Sequence, residues 1–344
     1  MMWLTWRQSR TQMLVIFAAL VAIAVVLGST GPHLTQLFQS DIAACLAQSG
    51  NNACSNDTLN AFADNYALLQ HLLGDALIAA PGLIGAFWGA PLVASELEAG
   101  THRLIWNQSV TRTRWLAIKV GLIGLASAVA AGVFSLMLTW WSSPLDRVNA
   151  NRIAPTVFDQ RGIDPIGWAI FAFALGVTAG VLLRRTLPAM ATTLALFTTA
   201  RIVWPLFIRQ RLLPPKHQAV SVGTAPFDWV GVSAGPNSPM EVHISQPGAW
   251  ILSERTVNAA GRQVPGSVLF PLCPPTADGA GLKHAPDSCF IQHLIQLGYN
   301  RTLLTYHPAA RFWPLQWMET GILTTVAVLL GVFCYSRIRR GNLS

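Results

Sequence analysis

Long apolar segments recur along the chain and are separated by shorter polar ones. Six of them are long enough to cross a bilayer whose hydrocarbon core is about 30 Å thick. They lie at residues 12–30, 72–94, 117–141, 166–183, 187–208 and 314–336. Continuous apolar runs of this length predict membrane-spanning helices rather than half-buried helices of a soluble domain. The pattern therefore predicts an all-α polytopic membrane protein with six transmembrane helices.

A secretory signal peptide is the alternative interpretation of the first apolar segment. Its apolar core is too long for a signal peptide, and no small-residue cleavage site follows before Pro32. We therefore expect an uncleaved first span. The preceding residues 1–11 place Trp3, Trp6 and Arg10 along one helical side, which favours a short helix in the membrane interface. A frayed basic terminus is the alternative.

Composition agrees with a membrane protein. Charged residues are 11% of the chain and apolar residues 52%, whereas about a quarter of a soluble domain is charged. The net charge of +8 raises the question of nucleic acid, but no basic run with interleaved aromatic residues occurs. We therefore expect membrane lipid, and no nucleic acid, as a partner.

The distribution of Lys and Arg predicts the orientation. Eleven of these cations lie within only 47 residues at one side of the spans, in segments 1–11, 95–119, 184–186 and 337–344. Eleven more are spread over 170 residues on the other side, in segments 31–71, 142–165 and 209–313. The positive-inside rule then puts both termini and the tail 337–344 in the cytoplasm.

The cysteines agree with this orientation. Cys45 and Cys54 fall in the outer loop 31–71, and Cys273 and Cys289 fall in the outer region 209–313. Paired cysteines on the outer side indicate disulfides, with Cys45–Cys54 and Cys273–Cys289 as the simplest connectivity. Cross-pairing between the two regions is an alternative. A zinc site is another, although its spacing fits no standard zinc finger; its ligands would be Cys273, Cys289, His284 and His293.

The outer region 209–313 holds 12 of the 21 prolines. It is typical of a compact extracellular subdomain with short extended pieces, pinned by a disulfide between spans 5 and 6. An amphipathic helix is predicted near Asp287–Tyr299. The G-x-S-x-G motif at 231–235 is followed by Pro236, which disfavours the strand–turn–helix that a serine hydrolase needs there.

One cation lies inside a predicted span. Arg201 is about 14 residues into the fifth span, where insertion of a charge is unfavourable. Its side chain either snorkels to the outer headgroups or forms an ion pair. Glu319, at the outer start of the last span, is the predicted partner, and the pair would close or line an external gate.

The polar segment Pro91–Lys119 is the strongest functional candidate in the chain. It joins the second and third spans through the predicted cytoplasmic loop 95–116, and it carries charges of both signs. The helix of span 2 is expected to extend past the membrane before Gly100 breaks it, and Ser109 or Thr111 can cap the next helix. A helical hairpin with its tip in the cytoplasm results, with these residues near the tip: Glu96, Glu98, Thr101, His102 and Arg103. An ordinary loop that only satisfies topology is the alternative.

Three segments of the chain resemble ABC-type-2 transporter permeases from actinobacteria. They read FWGAPLVASELEAGTHRLIWNQSVTRTRWLAIK, LRRTLPAMATTLALFTTARIVWP and YHPAARFWPLQWMETG. The resemblance implies an exporter fold of six helices per half, an N-terminal interfacial helix and a separate ATPase subunit. The loop would be the coupling helix seated in a cleft of that ATPase. The residues carried over to it are Glu96, Glu98, Gly100, Thr101 and Arg103, with Arg112 and Arg114 starting the next helix.

The chain itself has no phosphate-binding G-x-x-x-x-G-K-[ST] loop and no H-E-x-x-H motif. We therefore expect no catalytic residues, metal or cofactor in this chain, with ATP and Mg²⁺ bound by the partner ATPase. The predicted function is the permease subunit of an ATP-driven exporter in a bacterial plasma membrane, paired with a second copy or a related permease. The alternative is a non-transporting receptor or immunity subunit that senses an extracellular ligand.

Overall fold

The chain folds into two compact units in the computed structural model. The structure describes residues 2–47, 54, 56–98, 112–149, 151–224, 227–232, 238–244, 246–273, 276–278, 281–283 and 287–340. The first unit comprises Met1–Leu212 and Phe312–Ser344, and we call it the membrane unit. The second comprises Leu213–Arg311, and we call it the β-rich unit.

Six helices in the described part of the chain are long and apolar enough to cross a membrane, as predicted. We call them spans 1 to 6, and they run over Met13–Cys45, Thr58–Glu98, Ala117–Trp141, Asp164–Leu183, Thr186–Leu212 and Ala309–Arg339. Large apolar side chains point away from the bundle, among them Phe17, Leu125 and Leu187. An apolar exterior of this kind is stable in lipid and would be costly in water.

Several helices continue into segments that the sequence predicts as loops. Their bounds are α1 Met2–Leu37, α2 Ala43–Ala47, α3 Asn56–Ile84, α4 Ala90–Glu98, α5 Arg112–Trp141, α6 Ser143–Asn149, α7 Pro155–Phe158, α8 Asp164–Leu183, α9 Thr186–Val203, α10 Arg209–Leu212, α11 Gly266–Leu269, α12 Asp287–Gln296 and α13 Phe312–Arg339. In the part of the chain that the structure describes, three π-helical segments join consecutive helices within spans 1, 2 and 5, at Phe38–Ile42, Gly85–Gly89 and Trp204–Ile208.

Spans 1 and 2 extend through much of the predicted outer loop 31–71. Phe38 and Ile42 at the end of span 1 are buried against Phe62 of span 2, so that the extra turns have an apolar surface to cover. At the other end of span 1, α1 starts at Met2 and continues into the span. The helix predicted at residues 1–11 is therefore continuous with the first span.

Span 5 is longer than its apolar pattern predicts. It continues through the π segment that contains Pro205 and ends at Leu212, four residues beyond the predicted end at 208. Arg209 consequently lies within the span instead of opening the inserted subdomain. This extension decides which charges meet in the membrane unit.

Span 4 lies at the centre of the membrane unit and packs against spans 2, 3, 5 and 6. Its closest neighbour is span 2, because small residues let the two backbones meet. A Cβ added at Gly176 would overlap the Gly85 carbonyl oxygen, and one added at Gly85 would overlap the Ala172 carbonyl oxygen. Span 4 ends at Arg184, whose positive φ of 56° reverses the chain directly into span 5.

The described residues of the β-rich unit form three small antiparallel sheets. Its strands are β1 Lys216–Ser221, β2 Phe227–Val232, β3 Met240–Ile244, β4 Trp250–Val257, β5 Thr276–Asp278, β6 Gly281–Lys283 and β7 Arg301–His307. The largest sheet has the order β1–β7–β4, while β2 pairs with β3 and β5 with β6. In the central strand, Tyr306 lies opposite Lys216 on one side and Ile251 on the other. The extended pieces predicted for this region are therefore strands.

The core of the β-rich unit forms between β3, β7 and α12. Met240, Leu294 and Leu304 are almost completely buried in it. The helix predicted near 287–299 is α12, which ends at Gln296 because Gly298 turns the chain with a positive φ of 82°.

Candidate functional site

The ion pairs of the membrane unit, among the described residues, lie at two opposite ends of the bundle. One end holds the last turn of span 2, the start of span 3 and the turn between spans 4 and 5, and we call it the loop end. The other holds the beginnings of spans 4 and 6 and the last turns of span 5, and we call it the cluster end. Each end is held together by charges from several spans.

The predicted coupling loop lies mostly outside the described residues. Its tip residues belong to the undescribed segment 99–111, and they are Gly100, Thr101, His102 and Arg103. Their role in ATPase coupling stays a prediction. Arg112 and Arg114 lie in the first turn of α5, and their side chains are outside the description.

Glu96 ties the end of span 2 to span 3. Its carboxylate forms an ion pair with the ammonium group of Lys119, and both side chains are largely buried, at 13% and 9% exposure. A buried pair of this kind is strongly sensitive to removal of one partner, because the other charge is left uncompensated. Glu96 therefore positions the two helices that flank the loop.

Glu98 ties the same end of span 2 to span 5. Its Oε2 atom accepts hydrogen bonds from the backbone N–H of Thr186 at 2.9 Å and from the Thr186 hydroxyl at 2.8 Å. Thr186 is the first residue of α9, and the N-cap residue Arg185 makes no side-chain capping bond. Glu98 thus caps a helix from another span and places negative charge at its N-terminus. The loop is fixed at its base to spans 3 and 5.

Replacing Glu98 with alanine is expected to loosen the start of span 5. The amide hydrogen of Thr186 should exchange with deuterium roughly fivefold to tenfold faster, because its acceptor is lost. Hydrogen–deuterium exchange of the purified full chain, read at a peptide that contains Thr186, measures the effect.

Ser95→Ala is the matched control for this measurement. The Ser95 hydroxyl bonds only within its own helix, to the Pro91 carbonyl, among the residues that the structure describes. Exchange at Thr186 should be unchanged in this variant. Equal exchange in Glu98→Ala and the unmodified chain would contradict the capping role.

Five of the buried or nearly buried charges at the cluster end lie close together, and Arg209 of span 5 joins span 6 to the segment between spans 3 and 4. Its Nε and Nη2 atoms donate to the two carboxylate oxygens of Glu319, each at 2.7 Å. Nη2 also forms an ion pair with Asp159, and the guanidinium lies 4.3 Å from the centroid of the Phe158 ring. Arg209 and Glu319 are both fully buried. A bidentate pair is the strongest form of such a contact.

Arg201 is the second cation of the cluster. Its Nη2 lies 3.6 Å from Asp159 Oδ2, and its Nη1 lies 3.7 Å from Asp164 Oδ2. The guanidinium is 4.4 Å from the centroid of the Trp168 ring, and Trp168 donates its indole N–H to Glu319 at 3.2 Å. We call Asp159, Asp164, Arg201, Arg209 and Glu319 the charged cluster.

The predicted pair between Arg201 and Glu319 is wrong in its partners. Both residues belong to the charged cluster, but Arg201 pairs with Asp159 and Asp164, and Glu319 pairs with Arg209. Arg201 and Arg209 are eight residues apart, which is about 12 Å along a helix. The two guanidinium groups nevertheless meet at Asp159, which pairs with both of them. The snorkelling alternative fails as well, because the Arg201 side chain is only 10% exposed.

Gln316 fixes the segment between spans 3 and 4 against span 6. Its Oε1 accepts hydrogen bonds from the backbone N–H groups of Ile163 at 2.9 Å and Asp164 at 2.8 Å. Its Nε2 donates to the carbonyls of Phe158 at 3.2 Å and Arg161 at 3.0 Å. These four bonds use the whole amide and hold Asp159 and Asp164 in place beside the two arginines.

Sequence reasoning missed four members of this end of the bundle: Asp159, Asp164, Arg209 and Gln316. The two aspartates are only five residues apart next to an apolar span. This proximity in the sequence could have indicated that they belong to a polar site at the end of the span. Arg209 was assigned to the inserted subdomain because the apolar run stops before it.

The predicted disulfides are confirmed. Cys45 is bonded to Cys54 and Cys273 to Cys289, while Cys334 is a buried free thiol. His293 lies near the second pair, with Nδ1 at 3.7 Å from Cys273 Sγ. Since both sulfurs are used in the disulfide, the zinc alternative has no thiolate ligands there. His284 lies outside the described residues.

The G-x-S-x-G motif begins in a strand. Gly231 is in β2, which pairs with β3, the next strand in the chain; Ser233 lies outside the described residues. A strand returning at Met240 leaves no helix directly after the motif in the described part of the chain. The described residues on either side of the motif therefore do not form the strand–turn–helix that a hydrolase needs.

The comparison with known families identifies the membrane part of the chain. Residues 17–209 match the family described as ABC-2 membrane transporter related. The match covers spans 1 to 4 and span 5 up to Arg209, and so includes four of the five cluster residues as well as the loop. No curated protein and no solved structure matches the chain.

Proposed function

The chain belongs to the ABC-2 membrane transporter related family, and from this premise we propose that it is the permease subunit of an ATP-driven exporter. The observation that carries the proposal is the attachment of the loop base to two other spans. Glu96 links span 2 to span 3, and Glu98 links it to span 5. A displacement of the loop by a partner would therefore reach three spans.

In this proposal a separate ATPase chain binds ATP and Mg²⁺ and drives transport. The sequence has no P-loop of its own, which supports a separate nucleotide-binding subunit. The loop tip, which includes His102 and Arg103, would be seated in a cleft of that ATPase. ATP closes the ATPase dimer, the loops move together, and the pathway between two permease copies opens outward. The chain acts as a non-catalytic subunit.

The proposed location is a bacterial plasma membrane with both termini in the cytoplasm. The excess of Lys and Arg in segments 1–11, 95–119, 184–186 and 337–344 supports this orientation. The two disulfides support an oxidising compartment for the opposite side. The loop end then faces the cytoplasm, and the cluster end faces outward.

A hydrophobic or amphipathic substrate suits the apolar interior best. Spans 1, 2 and 3 line a half-open pocket of about 490 Å³. Its lining is aliphatic and aromatic, with Leu20, Leu83 and Phe134 among the contributing side chains. Such a surface binds acyl chains or apolar rings without offering polar partners. A second copy of the chain, forming a homodimer, would complete the transport pathway.

Co-purification tests the central part of the proposal. The tagged full chain, isolated from its native membrane in mild detergent, is expected to carry a P-loop ATPase identifiable by mass spectrometry. Arg103→Glu in the loop should reduce the recovered ATPase about tenfold or more, because reversal of an interfacial charge costs binding free energy. Failure to recover any ATPase with the unmodified chain would contradict the proposal.

Arg262→Glu provides the matched control. It is the same charge reversal at an exposed position of the β-rich unit, so ATPase recovery should be unchanged. Reconstitution in proteoliposomes then separates the exporter from a receptor. Outward movement of an apolar substrate that depends on ATP supports export, whereas ATPase stimulation without any vectorial movement supports the receptor.

A further inference from the structure

The charged cluster is unbalanced by one negative charge. It contains the two guanidinium groups of Arg201 and Arg209 and three carboxylates, and the two sets are in mutual contact. Asp164, Arg209 and Glu319 are completely buried. An uncompensated charge in such a place is strongly unfavourable, and a carboxylate there is stabilised by taking up a proton. The neighbouring Asp146 pairs with Arg161 and also with the exposed Arg152, and no ion pair joins either of these cations to a cluster carboxylate among the described residues.

The contacts distinguish the three carboxylates. Both oxygens of Glu319 accept hydrogen bonds from Arg209, and each oxygen of Asp159 contacts a different guanidinium. Among the described residues, Arg201 is the only cation within ion-pair distance of Asp164, and its Nη1 atom lies 3.7 Å from Asp164 Oδ2, which is beyond hydrogen-bond distance. Neither of its oxygens has a hydrogen-bond partner among the described residues, although the residue is fully buried. Asp164 is therefore the carboxylate that the protein solvates least.

We propose that Asp164 binds a proton at neutral pH and makes the cluster neutral. The charged groups that face it are Asp159, Glu319, Arg201 and Arg209, from the segment before span 4 and from spans 5 and 6. Carboxylate oxygens of Asp159, Asp164 and Glu319 all lie within 4.8 Å of one another. The carboxyl O–H of Asp164 consequently has an ionised acceptor close by, and a small side-chain movement completes the hydrogen bond. Release of the proton returns the cluster to a net charge of −1.

The proposal concerns proton binding and holds whether or not the chain proves to be an exporter. If the cluster end faces outward as proposed above, the proton would come from the outer side of the membrane. Loss of the proton would leave three ionised carboxylates that repel one another. Two of them, Asp159 and Asp164, lie before and at the start of span 4, and the third, Glu319, lies in span 6. The cluster would then be stable in one protonation state and strained in the other.

Infrared spectroscopy of the purified full chain tests the proposal without a substrate. At pH 7 the wild-type protein is expected to show the C=O stretching band of a protonated carboxyl group. Labelling all aspartates with ¹³C should shift this band, which distinguishes an aspartate from Glu319. The band should be absent in Asp164→Asn and present in Asp41→Asn, the same change at an exposed position.

The outcomes are decisive in each case. A wild-type spectrum without a protonated carboxyl band at pH 7 overturns the proposal, as does a band that survives in folded Asp164→Asn. A band that does not move on aspartate labelling assigns the proton to glutamate and also overturns it. Should Asp164→Asn fail to fold, ¹³C NMR of the aspartate-labelled wild-type chain decides. One buried protonated aspartate supports the proposal, and fully ionised aspartates contradict it.

Discussion

Gly176→Val is expected to prevent the membrane unit from folding. The Cβ of valine would overlap the carbonyl oxygen of Gly85 in span 2, which is backbone and cannot rotate away. Spans 2 and 4 would have to separate, and span 4 packs against four other spans. Overpacking of a tight core lowers the free energy of unfolding by about 1–3 kcal/mol even where side chains can yield. The loss is larger here because the obstructing atom belongs to the backbone. Loss of the monodisperse peak in size-exclusion chromatography and of a cooperative thermal transition would report it.

Gly331→Val is the control for this prediction. It introduces the same side chain in span 6, at a glycine with no heavy atom within 4 Å of the added Cβ. This variant should elute and melt like the unmodified chain. A Gly176→Val protein with normal elution and an unchanged Tm would show that the close approach of spans 2 and 4 is not required.

Removal of Arg209 is expected to have the second largest effect. Arg209→Met keeps the volume of the side chain but leaves Glu319 and Asp159 without their shared guanidinium. Breaking a buried ion pair on one side costs about 3–5 kcal/mol, because an uncompensated charge remains in the interior. Thermal unfolding in detergent should show a large fall in Tm.

Arg211→Met is the matched control, two residues further along the same helix. Arg211 is exposed, and its guanidinium contacts only the Phe207 carbonyl of its own span within the described residues. Its loss should change Tm little. The double variant Arg209→Met with Glu319→Gln should recover part of the stability, and comparison with both single variants gives the coupling energy of the pair. Equal Tm values for the Arg209 and Arg211 variants would contradict the role of the cluster.

The membrane-spanning helices were predictable because they depend on local composition. Each span needs about 20 apolar residues whatever its neighbours are, so a single segment contains the signal. The disulfide Cys45–Cys54 was predictable for a similar reason, since its partners are nine residues apart. In both cases the deciding interaction is with the solvent or with a residue close by in the chain.

The charged cluster was only partly predictable because its partners come from distant segments. Arg209 and Glu319 are 110 residues apart, and Gln316 contacts a segment more than 150 residues before it. Arg201 was recognised as an anomaly from its position in a span, but its partners were not. The polar residues after Ile208 would mark the end of a span if water solvated them. Here the carboxylates of Asp159 and Glu319 take the place of water around Arg209.

The loop base shows the same limit in another form. Glu98 was singled out by its charge next to the membrane, yet its contact with Thr186 has no local signal. Thr186 starts a helix whose N-terminus lacks a side-chain cap of its own. The missing cap is visible only after the boundary of span 5 is known. The contact between Glu98 and Thr186 therefore follows from the structure and not from the sequence pattern.

The disulfide between Cys45 and Cys54 has a mechanical consequence for any transport cycle. It holds the end of span 1 and the beginning of span 2 at a Cα–Cα distance of 5.2 Å. Two helices joined at one end swing apart only by pivoting about that junction. Widening of the apolar cavity between them would therefore be largest far from the disulfide, toward the loop end. Oxidising conditions keep the disulfide intact. Under these conditions spans 1 and 2 would separate only by rotation about their joined ends.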